Sequence, residues 1–139
     1  MLALTFILVA CSTDQAVKTG VTSDRLAPCP KSPNCVSSLS TDNSHYVEPF
    51  SYKVSQEAAR EKLISVINSM KRSEIVSADY NYIHATFTSF LFRFVDDVEF
   101  SFDDEKKVID VRSASRTGYS DLGVNRRRVE EIRRRFIAQ

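Results

Sequence analysis

The hydrophobic periodicity of the chain predicts an α+β domain: an antiparallel sheet of about four to five strands with two helices packed on one face. A helical stripe after Ser55, a period-two pattern from Glu74 to Ser113, and a second helical stripe from Val124 support this prediction. Residues 47–54 read as a first short strand, interrupted by Pro49, which has no amide hydrogen to give to a ladder. Ser55 offers its hydroxyl as an N-cap for a helix running to about Lys71. In that helix Ala59, Leu63, Val66, Ile67 and Met70 share one side, while Arg60, Glu61 and Asn68 face water. The period then changes to two. Ile83, Ala85 and Phe87 alternate with Tyr82, His84 and Thr86, and Val98, Phe100 and Phe102 alternate with Asp97, Glu99 and Ser101. The polar run 103–107 joins the second of these strands to a partner over 108–113, giving a hairpin. The last helix starts at about Val124 and turns Val129, Ile132 and Phe136 toward the core.

Ahead of this domain lies an uncharged apolar segment, 1–10, containing Leu2, Leu4, Phe6, Ile7, Leu8 and Val9. It is too short to cross a bilayer, which takes about 20 residues, and suits the part of a signal that an export machinery reads. Small Ala10 precedes Cys11 as in a bacterial lipoprotein signal, so Cys11 is the expected lipidation site and first mature residue. No basic residue follows Met1, which places the expected true start further upstream. The competing reading of 1–10 is an apolar strand or helix with an incidental cysteine. Ser12 stands where, by resemblance to Gram-negative lipoproteins, an acidic residue favours retention in the inner membrane. The expected address is therefore the outer membrane, facing the periplasm. Residues 11–25 are polar and aperiodic, as in a flexible tether, and 26–139 form the single domain.

With Cys11 assigned to lipid, Cys29 and Cys35 remain as an even pair in a proline-rich loop, as a disulfide in an oxidising compartment requires. On a chain-entropy estimate it contributes roughly 2 kcal/mol. The rival is a two-cysteine metal site, which only His45 and His84 could complete, and neither stands at ligand spacing. No metal and no cofactor is expected. A net charge of +1 speaks against nucleic acid as a partner, although 122–139 holds six arginines and two glutamates.

Candidate chemistry concentrates in 112–128, where hydroxyls, guanidiniums and two glycines lead into the last helix. Arg126, Arg127 and Arg128 occupy its first turn, where a cation is disfavoured by about 0.3–1 kcal/mol. Something negative must compensate. It is either internal or external. In the internal solution Asp121 caps the helix, Glu130 and Glu131 pair with Arg126 and Arg127, and Asp96, Asp97 or Asp110 receives Arg112 or Arg116. In the external one, a phosphate or carboxylate is held by Arg112, Arg116, Arg126 and the helix amides, with Ser113, Ser115 and Asn125 hydrogen-bonding to it. An enzyme would need Ser113, Ser115 or Ser120 as nucleophile, His84 as base and Asp96 or Asp97 to orient it. No serine lies in a Gly-x-Ser-x-Gly elbow, and Asp96 and Asp97 point to opposite faces of a strand. No catalytic residue is assigned.

Several separate motifs occur together in order: Pro33-Asn34-Cys35-Val36-Ser37-Ser38, Phe94-Val95-Asp96-Asp97-Val98-Glu99-Phe100, and Val111-Arg112-Ser113-Ala114-Ser115-Arg116 with Gly118, Asp121-Leu122-Gly123 and Asn125-Arg126. The chain from about Leu26 to Phe136 thereby resembles the family catalogued as domain of unknown function 1499. The resemblance implies bacterial exported or membrane-attached relatives and makes Cys35 part of the domain; it transfers no activity. The expected function is a lipid-anchored, non-enzymatic binding or envelope-assembly module. Its expected partners are the membrane, through acyl chains, and an anionic envelope component. A small envelope hydrolase is the alternative.

Overall fold

The computed structural model describes residues 21–22 and 25–138; the expected signal segment, Cys11 and most of the tether lie outside the described residues. In chain order the elements are β1 (Val21–Thr22), β2 (Arg25–Leu26), β3 (Cys35–Ser37), β4 (Phe50–Ser51), α1 (Gln56–Asn68), β5 (Ser73–Ala78), β6 (Tyr82–Thr88), β7 (Val95–Asp103), β8 (Val108–Ser115) and α2 (Val124–Ala138). β1 and β2 form a small antiparallel pair. The other six strands form one antiparallel sheet in the order β3-β8-β7-β6-β5, and β4 shares the outer edge of β8 with β3. This is the antiparallel α+β architecture that the periodicity predicts. The additional strand is β3, in a stretch too short and too rich in proline and cysteine to show a period.

Local chemistry explains where the helices begin and end. The Ser55 hydroxyl accepts from the Ala58 amide, so α1 starts where the capping residue predicts. It stops at Asn68, short of Lys71, because the chain turns through Arg72 at a positive φ of 59° to enter β5. The expected strand over 47–54 shrinks to Phe50–Ser51, since Pro49 cannot donate and only the lower part of the β8 edge is left for pairing.

The core lies between the helices and one sheet face. Ile83, Phe100 and Val111 sit side by side across β6, β7 and β8, with Ala85 and Val98 one pleat along. Leu63, Val66 and Ile67 of α1 and Val129, Ile132 and Phe136 of α2 close over them. Phe50 packs edge-on to Phe100 and against Phe136, each with ring centroids 5.9 Å apart. The other sheet face is not solvent. β2 and the residues after it cross β7 and β8, burying Leu26 and Ala27, and a Cys29–Cys35 disulfide pins the segment to β3. The polar alternates of β7 and β8 therefore face protein. Asp97, Glu99 and Arg112 are all buried.

Candidate functional site

The residues singled out between Arg112 and Arg128 are distributed over both faces of the sheet by the pleat of β8. On the face under the N-terminal segment, Arg112 Nη1 donates to Glu99 Oε2 at 2.8 Å, and Tyr82 Oη donates to Glu99 Oε1 at 2.7 Å. Burial first, and then the glutamate beside it, push the Tyr82 hydroxyl up in pKa and keep it a donor. One pleat along, Arg116 places a two-pronged fork on Asp97, Nε on Oδ2 and Nη2 on Oδ1, both at 2.8 Å. His84 Nε2 donates to the same Oδ1 at 2.7 Å. Burial raises the Asp97 carboxyl, but the bonds from Arg116 and His84 outweigh it and hold the group down at about 2.

On the helix face, Asn125 clasps three segments together. Its Oδ1 accepts from Ser113 Oγ at 2.6 Å and from Arg128 Nη1 at 2.9 Å. Its Nδ2 reaches Asp121 Oδ2 at 2.7 Å, Ser115 Oγ at 2.9 Å and the Asn34 carbonyl at 3.2 Å. Arg128 also pairs with Asp96 at 2.6 Å, so the adjacent aspartates 96 and 97 serve opposite faces. Asp121 accepts from the Gly123 and Asn125 amides at 2.9 Å each. Desolvation raises its carboxyl, but those bonds to the start of α2 prevail and lower it. Asn34 Nδ2 donates to the Gly118 carbonyl at 2.7 Å, tying the proline-rich loop to the β8–α2 loop.

The six sequence-derived anion-site residues thus do not converge on one point. Arg112 and Arg116 lie on one sheet face and Ser113, Ser115 and Asn125 on the other. Arg126 spans to the carbonyls of Ser44 and Tyr46. Among them, Arg116 presents its side chain most openly, 43% exposed. The compensation expected for the α2 arginines also differs in detail. Glu130 pairs with Arg133, and Glu131 with Arg134 and Arg135, rather than with Arg126 and Arg127. An acid N-terminal to its cation is the better helical order, and Arg126 is already engaged elsewhere. The serines weighed for catalysis do not meet His84: Ser113 and Ser115 are on the far face, and Ser120 is in the exposed loop. Among the described residues no group of three or more His, Cys, Asp or Glu is placed to hold a metal, and no helix is long and apolar enough to cross a membrane.

The periodicity did not single out the segment joining β6 to β7. Ser89 through Phe94 form an exposed turn in which Phe90, Leu91 and Phe92 are each more than two-thirds in solvent. The signal was an unbroken apolar run between two alternating strands; without the turn it reads as more strand.

An antiparallel sheet, backed by two helices and crossed over β7 and β8 on its other face by a disulfide-pinned strap, defines a small α+β domain with buried charge on both sheet faces. The chain belongs to the family described as protein of unknown function DUF1499, whose model matches residues 25–136. No curated protein and no solved structure matches it.

Proposed function

We propose that the protein is a lipoprotein of the bacterial envelope, held by acyl chains on Cys11 at the outer membrane and facing the periplasm. Its domain acts there as a non-enzymatic binding module for an anionic envelope component. The observation that supports a binding rather than a catalytic role is the internal commitment of its ionisable groups. Asp96, Asp97 and Glu99 each hold an arginine, and none of Ser113, Ser115 and Ser120 meets His84. A nucleophile needs its base within hydrogen-bond reach. The 116–123 segment is open, with Arg116, Tyr119 and Leu122 in solvent beside the N-terminus of α2. The cysteine pair, bridged as Cys29–Cys35, suits an oxidising compartment.

Mass spectrometry of the protein purified from native membranes tests the reading. The expected spectrum shows a chain beginning at an acylated Cys11, two hydrogens lighter for the disulfide, with an anionic molecule retained under gentle ionisation. An unprocessed, unacylated chain with free thiols refutes the anchor. An acylated chain that hydrolyses ester, amide or glycosidic probes refutes the non-enzymatic role. Exchanging Arg116, the most exposed of the candidate residues, for alanine should leave the acyl mass unchanged and release the retained anion.

A further inference from the structure

Six of the twelve large apolar side chains exposed among the described residues gather on two loops at one end of the sheet. β6 ends there at Thr88 and β7 begins there at Val95, joined by the 89–94 turn. β8 ends beside them, since the Arg116 amide donates to the Val95 carbonyl at 3.0 Å, and the 117–123 loop leaves from that point. The six are Phe90 at 76%, Leu91 at 73%, Phe92 at 69% and Phe94 at 54% on the first loop, with Tyr119 at 75% and Leu122 at 83% on the second; the other exposed ones, Tyr80 and Ile137 among them, lie outside these loops. Phe92 and Phe94 stack on each other at 5.6 Å, so the first loop is a shaped tip.

Its charge has one sign. Arg93 stands exposed within the tip, and Arg72, whose carbonyl accepts from the Thr88 amide, lays its guanidinium 5.6 Å from the Phe90 ring. Lys71 and Arg127 are exposed at the same end, and Arg116, also exposed, is paired with buried Asp97. The 89–94 and 117–123 loops contain a single acid, Asp121, and its carboxylate is occupied by the amides of Gly123 and Asn125. The opposite end of the sheet differs: the β7–β8 turn carries Asp103, Asp104 and Glu105 against Lys106 and Lys107.

We propose that this end is a membrane-contact surface, in which the 89–94 tip, assisted by 117–123, inserts into the headgroup region of a bilayer containing anionic lipid. Aromatic and aliphatic tips reach the acyl boundary while guanidiniums beside them stay with phosphates, the division that amphipathic side chains make at an interface. An anionic leaflet draws such basic groups within a Debye length. The surface consists of two exposed loops side by side, which a fluid partner can close around. The inference deepens the envelope reading and rests on it for its setting. The loops would set which end meets the lipid.

The chain contains no tryptophan, so a single one is an unambiguous reporter. The full-length lipoprotein carrying F92W is incorporated in vesicles with and without one-third phosphatidylglycerol, some with bromine-labelled acyl chains. Y80W, exposed in the turn between β5 and β6 at the other end, serves as the control. The expected result is a blue-shifted F92W emission quenched several-fold by brominated lipid on anionic vesicles, weaker on phosphatidylcholine and in high salt. Y80W should stay unquenched, and R72E with R93E should abolish the F92W signal. Protein that sediments with vesicles while F92W remains unquenched overturns the inference and leaves the anchor intact. Equal quenching of both reporters overturns it too. An F92W shift seen only in native envelopes containing protein would assign the tips to a protein partner instead. Insertion by a chain whose mass shows no acyl group would sustain the inference and refute the anchor.

Discussion

Replacing Asn125 should loosen the junction that positions the β8–α2 loop. In N125A the Ser113 hydroxyl loses its acceptor in a fully buried position and Arg128 loses a charge-assisted bond. The Asn34 carbonyl still receives the Ser115 amide, and Asp121 still holds the Asn125 amide, so the loss is confined to about two groups. At roughly 1–3 kcal/mol for an orphaned buried donor and a similar figure for the bond to arginine, the cost is about 3 kcal/mol. A domain of about 110 residues has an unfolding entropy that converts 1 kcal/mol into roughly 4 °C, so Tm should fall by about 12 °C. N125D is the sharper test. It keeps the shape but sets a carboxylate oxygen where Nδ2 now stands 2.7 Å from Asp121 Oδ2. Two carboxylates at that separation raise the pKa of one of them in the folded state. A raised folded pKa gives stability that is present at low pH and disappears as pH rises through that value. N125D should therefore lie well below N125A at pH 7 and recover relative to it by pH 4. Urea denaturation of both variants across pH 4–7 reads this out. A cost for N125A under about 1 kcal/mol, or N125D tracking N125A at every pH, would refute the role given to the amide.

Two further outcomes follow from the opposite sheet face. Asp97 is held at about 2 against an ordinary 3.8, so it contributes about 2 kcal/mol that is complete above pH 4 and is lost as pH falls toward 2. The difference in urea midpoint between the native chain and D97N should shrink across that window and stay constant above it. At the buried Arg112–Glu99 pair, E99Q strands a guanidinium that is only 3% exposed and should cost about 3–5 kcal/mol. Arg112 Nε has no acceptor even in the native protein, so exchanging both partners, E99L with R112M, should restore much of that loss in a double-mutant cycle.

The strands and helices that were legible are those whose side chains repeat with their element. Ile83, Ala85 and Phe87 alternate because β6 has one face on the core, and Val129, Ile132 and Phe136 recur because α2 does. β3 was not legible, because three residues cannot display a period and its pairing with Ala114, Ser113 and Arg112 is set by the partner strand. Nor could alternation tell what lies over a sheet face. Asp97, Glu99 and Ser101 alternate as solvent-facing residues do, yet the first two are buried, because a segment some seventy residues earlier in the chain folds across them.

The pleat itself distributes the residues named for the anion site over both sheet faces. Arg112, Ser113, Ser115 and Arg116 are neighbours along β8, and neighbours along a strand part to opposite faces. Each face then found its own counter-charge from β7, where Asp96 and Asp97 part in the same way. Consecutive polar residues in two paired strands thus balance each other face by face, and the arginines at the head of α2 draw on Asp96, Asn125 and backbone carbonyls. Compensation inside the sheet leaves excess cation only where strands end and there is no facing strand to supply an acid. Those ends, at Arg72 and Arg93, adjoin the exposed phenylalanines, so the rule that keeps the sheet interior neutral also concentrates positive charge around the apolar tips.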